Sequence, residues 1–183
     1  RRGLLYLLNE LFSLTNDRTH FVNLSDGGHF ENLGIYELIR RRCRYIIACD
    51  AEQDHKLTFS GLGNVIRKCR IDFGAEISIR STRIRPPDAH GHSALHCVVG
   101  DITYANGDPG TLLYLKASVT GDEPADVLEY KSREPAFPHH STLGDQFFDE
   151  SQFESYRKLG FHVAHTALSQ PMASARSGIA SSF

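Results

Sequence analysis

The chain has 183 residues, a formal charge of −2, 40% hydrophobic residues and 23% charged ones. That length suffices for one domain with its own core, and the near-neutral balance excludes the large basic excess of a nucleic-acid binder. No run reaches the length of a transmembrane helix and no secretory signal pattern is present, both statements applying to this stretch of sequence alone.

Leu4 to Leu14 reads as an apolar helix that stops before Thr15-Asn16-Asp17. His20 to Leu24 is a short β-prone run. Glu31 to Arg42 is the next expected helix, with Leu33, Tyr36, Leu38 and Ile39 as apolar positions. Its basic last turn suits the negative end of the helix dipole. Arg44 to Cys49 is a short apolar run of the kind found in buried parallel strands, and Asp50-Ala51-Glu52 follows at its C-terminal end. Phe59 to Cys69 is a helix with Leu62, Val65 and Ile66 on one face, and Ala75 to Arg80 alternates as a strand. Strand, helix, strand, helix, strand in this order predicts right-handed crossovers and a mostly parallel sheet.

Arg83 to His92 is a loop containing Pro and His. Leu95 to Tyr104 and Thr111 to Val119 are two strands, and the Asn106-Gly107-Asp108-Pro109-Gly110 connection between them has hairpin chemistry. A short helix is expected from Pro124 to Lys131, irregular chain from Pro135 to Gly144, and a long helix over Phe147 to Leu168. Residues 1–168 carry this run of elements and read as one domain portion. Residues 169–183, rich in Ala, Ser and Gly, are expected to be a disordered tail.

The chemistry concentrates at Ser25-Asp26-Gly27-Gly28-His29-Phe30-Glu31-Asn32-Leu33-Gly34. Here an acid sits on a tight turn between a strand and a helix, where α/β sheets place their ligands. Gly27 and Gly28 permit backbone angles that other residues resist. Asp26 as a simple turn cap is the alternative, since Asp commonly plays that part.

Those residues, with the Arg-rich helix after them, resemble the second catalytic motif of the patatin-like phospholipases, and most nearly that of the long bacterial members. Matching segments follow in order: Cys49-Asp50-Ala51, Arg70-Ile71-Asp72-Phe73-Gly74, Tyr114-Leu115-Lys116-Ala117-Ser118, Thr120-Gly121-Asp122-Glu123-Pro124, Phe137-Pro138-His139-His140-Ser141-Thr142, Asp145-Gln146-Phe147-Phe148-Asp149-Glu150 and Phe153-Glu154-Ser155-Tyr156-Arg157. The resemblance implies a three-layer α/β fold with flanking helices, here partial, carrying in addition the hairpin and the last helix. It also implies a serine–aspartate dyad that hydrolyses phospholipids or other lipid esters without a cofactor, Asp26 being the matching aspartate. Contact with a membrane surface and a cytoplasmic or peripheral membrane location agree with it. In such a dyad the carboxylate takes the serine proton as the hydroxyl attacks the ester carbonyl. Burial must strengthen it as a base, and Leu24, Phe30 and Leu33 are the apolar flanks expected to help.

The nucleophile motif Gly-x-Ser-x-Gly is missing, as is a Gly-rich oxyanion loop. Gly91-His92-Ser93-Ala94-Leu95 is a decoy that lacks the second glycine, and Ser93 reads as loop. The chain therefore reads as the base-bearing half of a catalytic domain, inactive alone. A non-catalytic interaction module is the alternative, and a metal-dependent hydrolase using Asp26, His29 and Asp50 a more distant one. No metal ligand set is expected: Asp54-His55, His90-x-His92 and His139-His140 read as loop residues without metal-site spacing, and Asp50 as a cap or loop residue. Cys43, Cys49, Cys69 and Cys97 form no Cys-x-x-Cys pair and are expected to be reduced. His29 is the rival to Asp26, because histidine is the usual partner of a catalytic serine. Thr120 to Pro124, between a strand end and a helix start, has two readings: the border of a cleft, or acids that complement the helix dipole. Phe147, Phe148, Phe153 and Tyr156 are expected to pack into the core from the last helix, a lipid-facing role being the alternative.

Overall fold

Four consecutive apolar residues, Leu112-Leu113-Tyr114-Leu115, need cover on both faces of a strand, because successive side chains point to opposite sides. The fold supplies it. The computed structural model describes residues 3–12, 14, 18, 26–84, 92–141 and 144–169. The chain divides into two units, Arg1–Asn32 and Leu33–Phe183. The first contains helix α1 (Gly3–Leu11), whose Leu5, Leu7, Leu8 and Leu11 are exposed, and a 3-10 turn at Gly27–His29. The strand expected over His20 to Leu24 lies outside the described residues.

The second unit is mixed α/β, with α2 (Ile35–Arg40), β1 (Tyr45–Asp50), α3 (Ser60–Phe73), β2 (Glu76–Ser78), β3 (Cys97–Thr103), β4 (Pro109–Lys116), α4 (Ala125–Arg133) and α5 (Glu150–Ser169). The sheet order is β1-β4-β3-β2. β1 runs parallel to β4, with Tyr45 opposite Thr111 and Asp50 opposite Lys116. β3 is antiparallel to both neighbours. The expected mostly parallel sheet is thus mixed, and the hairpin is the reason. β1 and β2 do point the same way, as the crossover through α3 predicts. The β3–β4 hairpin inserts between them, turning at Gly107 with φ of +86°, so only the β1–β4 pairing is parallel among the described strands.

Helices cover both faces of the sheet. Ile35 and Ile39 of α2 and Leu62, Val65 and Cys69 of α3 share one core with Ile46, Ala48, Val98, Ile102, Leu112 and Tyr114. Val127 and Tyr130 of α4 and Leu159 and Val163 of α5 share the other with Leu113 and Leu115. β1 departs from the buried-strand expectation. Among the described strands it lies at an edge, α2 covers one face, and Tyr45 and Ile47 on the other are exposed.

Two helix boundaries move for local reasons. α2 begins at Ile35 because Gly34 before it is left-handed, with φ of +70°. α3 runs on to Phe73, where left-handed Gly74 returns its amide to the Arg70 carbonyl. The last helix begins at Glu150, so Phe147 and Phe148 precede it. Phe147 is 95% exposed and Phe153 is exposed too, correcting the expectation that these rings join the core. Tyr156 does pack, edge-on against Phe137 at 4.9 Å. Ser169 closes α5, and the rest of the expected tail lies outside the described residues.

Candidate functional site

Asp26 caps the 3-10 turn. Its Oδ1 accepts the Gly28 amide at 3.0 Å, and its backbone carbonyl accepts the His29 amide at 3.1 Å. The residue caps the turn, and its carboxylate faces solvent. The apolar enclosure expected around it is not formed by Phe30, which is itself exposed, and Leu24 lies outside the described residues. Leu33 packs instead with the core of the second unit. Neither glycine adopts positive φ, and only Gly28 has a close neighbour. A Cβ on Gly28 would meet Asn32 Oδ1 at 2.7 Å, whereas Gly27 faces open space. His29 is exposed on the same turn.

The second unit holds a buried charged group where β1 and β4 end. Lys116, 1% exposed, donates to Asp50 Oδ1 at 2.7 Å and to the Glu52 carbonyl at 3.2 Å. The Tyr114 hydroxyl donates to Asp50 Oδ2, and the Glu52 amide donates to Oδ1 at 2.9 Å. Burial, then the adjacent Asp50 carboxylate, push the Tyr114 phenol up, so it stays a donor. Asp50, expected to cap a helix or lie in a loop, is instead the centre of this network. Its parallel register opposite Lys116 puts the two side chains side by side. Sequence reasoning missed Lys116 and Tyr114. The available signal was a lysine inside an apolar strand, which must find a buried anion.

A groove of about 160 Å³ opens beside this network, walled by Leu115 and Ala117 on one side and by Leu159, Gly160 and Val163 of α5 on the other. The expected loop pair His139-His140 is also drawn inward. His139 is buried, and its Nδ1 has no hydrogen-bond partner among the described residues. Burial, reinforced by the Lys116 cation, pushes His139 down to about 4. His140 Nδ1 lies 2.8 Å from the Tyr156 hydroxyl.

Asp54 accepts the amides of Thr58 at 2.9 Å and Phe59 at 2.8 Å, fixing a loop in which Leu57 and Phe59 are left-handed. It clamps this loop, as the loop reading of Asp54 expects. Ser93 is buried and its amide donates to the Val119 carbonyl at 2.8 Å. His90 lies outside the described residues, and the His92 ring lies over Gly121. All four cysteines are free thiols, with Cys69 buried and Cys49 exposed. Thr120 to Pro124, expected at a cleft border, turns the Glu123 side chain into the interior. No helix among the described residues is long and apolar enough to cross a membrane. No family model, no curated protein and no solved structure matches this chain.

Proposed function

We propose that the chain is the base-bearing part of a patatin-like lipid acyl hydrolase, of phospholipase A or lysophospholipase type, in which Asp26 activates a serine carried on a segment outside this sequence. The observation that carries the reading is the Asp26-Gly27-Gly28 turn. It holds one carboxylate oxygen on the Gly28 amide and presents the acid outward, 3.0 Å from that amide nitrogen. The ordered motifs downstream of the turn and the mixed α/β scaffold of the second unit agree with it. Because Asp26 is exposed here, the serine-bearing segment must also cover it, so that the carboxylate becomes an effective base in a water-poor site.

The test is made in the protein that carries both segments. Asp26→Asn keeps the cap to the Gly28 amide but cannot accept the serine proton. Turnover of a short-chain p-nitrophenyl ester falls about 100-fold or more, with the unfolding midpoint unchanged. His29→Ala keeps substantial activity. The 183-residue chain alone shows no turnover above an Asp26→Ala control. An active Asp26→Asn protein beside a folded but inactive His29→Ala protein overturns the dyad and replaces it with a histidine mechanism.

A further inference from the structure

Four metal-binding side chains from three separate parts of the second unit converge on one point. His96 stands just before β3, Asp122 and Glu123 lie in the connection from β4 to α4, and His162 is carried by α5. One donor atom from each lies within 4.8 Å of all the others. His96 Nε2 is 3.6 Å from Asp122 Oδ1 and 3.6 Å from Glu123 Oε1, and His162 Nε2 is 3.1 Å from Asp122 Oδ1. Ligands bound at about 2.0–2.2 Å in a tetrahedron stand roughly 3.3–3.6 Å apart, so these separations bracket the spacing that zinc imposes. We propose that His96, Asp122, Glu123 and His162 bind one divalent transition-metal ion of the zinc class. The proposal is independent of the acyl-hydrolase reading and concerns other residues.

The surroundings orient the ligands as metal sites require. His96 Nδ1 lies 3.3 Å from the Ser118 hydroxyl, which is itself within reach of the carbonyls of Lys116 at 3.2 Å and Leu95 at 3.3 Å. With its one proton given to a carbonyl, the serine oxygen accepts from Nδ1–H. A metal ion on Nε2 requires that tautomer; without one, the Thr120 hydroxyl, which donates to Asp122, can accept from Nε2–H instead. Glu123, whose side chain is fully buried, is aimed by two amides, Thr120 N–H to Oε1 at 2.7 Å and Gly121 N–H to Oε2 at 2.8 Å. Gly121 has φ of +93°, and a Cβ there would meet the His92 ring at 3.0 Å, so the loop needs glycine at this point. The Thr120 hydroxyl lies 3.0 Å from His96 Nε2 and donates to Asp122 Oδ1 at 2.5 Å, within reach of the same centre. Two carboxylates converging with two imidazoles leave negative charge that a dication neutralises. Mixed imidazole and carboxylate donors favour zinc over the all-oxygen ions magnesium and calcium. Bound there, the ion ties α5 to the β4–α4 connection and to the start of β3.

The test uses the purified chain stripped with a chelator and titrated calorimetrically with Zn²⁺. One equivalent binds, more tightly than Mg²⁺ or Ca²⁺, and the thermal midpoint rises with Zn²⁺ concentration. Glu123→Gln risks the fold because the carboxylate holds two amides, so the deciding variants lie on the open side. His162→Ala and Asp122→Asn each weaken Zn²⁺ binding by roughly 100-fold or more. Ser118→Ala, which removes only the orienting partner, weakens it by about tenfold. His165→Ala, on the same helix outside the cluster, binds as the parent does. A folded parent chain that binds no Zn²⁺ overturns the proposal, as do His162→Ala and Asp122→Asn proteins of undiminished affinity. Tighter binding of Mg²⁺ or Ca²⁺ than of Zn²⁺ overturns the zinc assignment.

Discussion

Asp50 and Lys116 are each almost wholly buried, 3% and 1% exposed, and removing one of them strands the other. Lys116→Met leaves an uncompensated carboxylate in the interior and is expected to cost about 3–5 kcal/mol in urea unfolding. The double variant Asp50→Asn with Lys116→Met removes both charges and keeps an acceptor for Tyr114. It should therefore lose clearly less than the two single changes added together. Simple additivity would show that the pair is not coupled. His139 gives a pH signature. Burial holds it near 4, below its ordinary value of 6.5, so the unfolded chain binds the proton first. Its contribution is complete above about 6.5 and is lost as pH falls toward 4, a difference of roughly 3 kcal/mol. Unfolding followed between pH 7 and 4.5 should show a shallower slope for His139→Phe than for the parent chain. Equal slopes would mean that His139 is not held neutral.

At the level of elements, α5 decides which of its residues matter. Its inward face is Gln152, Ser155, Leu159 and Val163, while Phe153 and Phe161 point outward. Leu159 is 1% exposed and packs in the core with Leu113, Leu115 and Val127. Leu159→Ala should therefore cost about 2–5 kcal/mol, counting both transfer and cavity. Phe153→Ala removes a larger side chain from an exposed site and should change stability by less than about 0.5 kcal/mol. Thermal or urea unfolding of the two variants decides the matter. The reverse ranking would mean that the aromatic face, not the leucine face, carries the packing. Composition misled here because four aromatic residues within ten positions suggest a core stripe. Only the start of the helix at Glu150 and its rotation against β4 set which face is inside.

At the scale of the whole sheet, β4 has a hydrogen-bonded neighbour on each edge and helices over each face. Amides of its centre, Leu112 to Leu115, should exchange with solvent more slowly than those of β1, which is at the edge among the described strands, because their exposure requires the unit to unfold globally. Faster exchange in β4 than in β1 would contradict the observed strand order.

The sequence alone determined what depends on neighbours along the chain. The Asn106–Gly110 hairpin, the helices over Ser60–Phe73 and Glu150–Ser169, and the cap formed by Asp26 were legible because turn chemistry and periodicity act over a few residues. Strand order was not legible, since the pairing of β1 with β4 joins residues more than sixty positions apart. The same distance hid the partners of Asp50. Tertiary structure alone decided that Lys116 neutralises it, that His139 is enclosed, and that His96, Asp122, Glu123 and His162 share one point. Each of those groupings is set by how strands and helices pack, a global free-energy minimum favoured by buried apolar area and satisfied polar groups that no local pattern encodes.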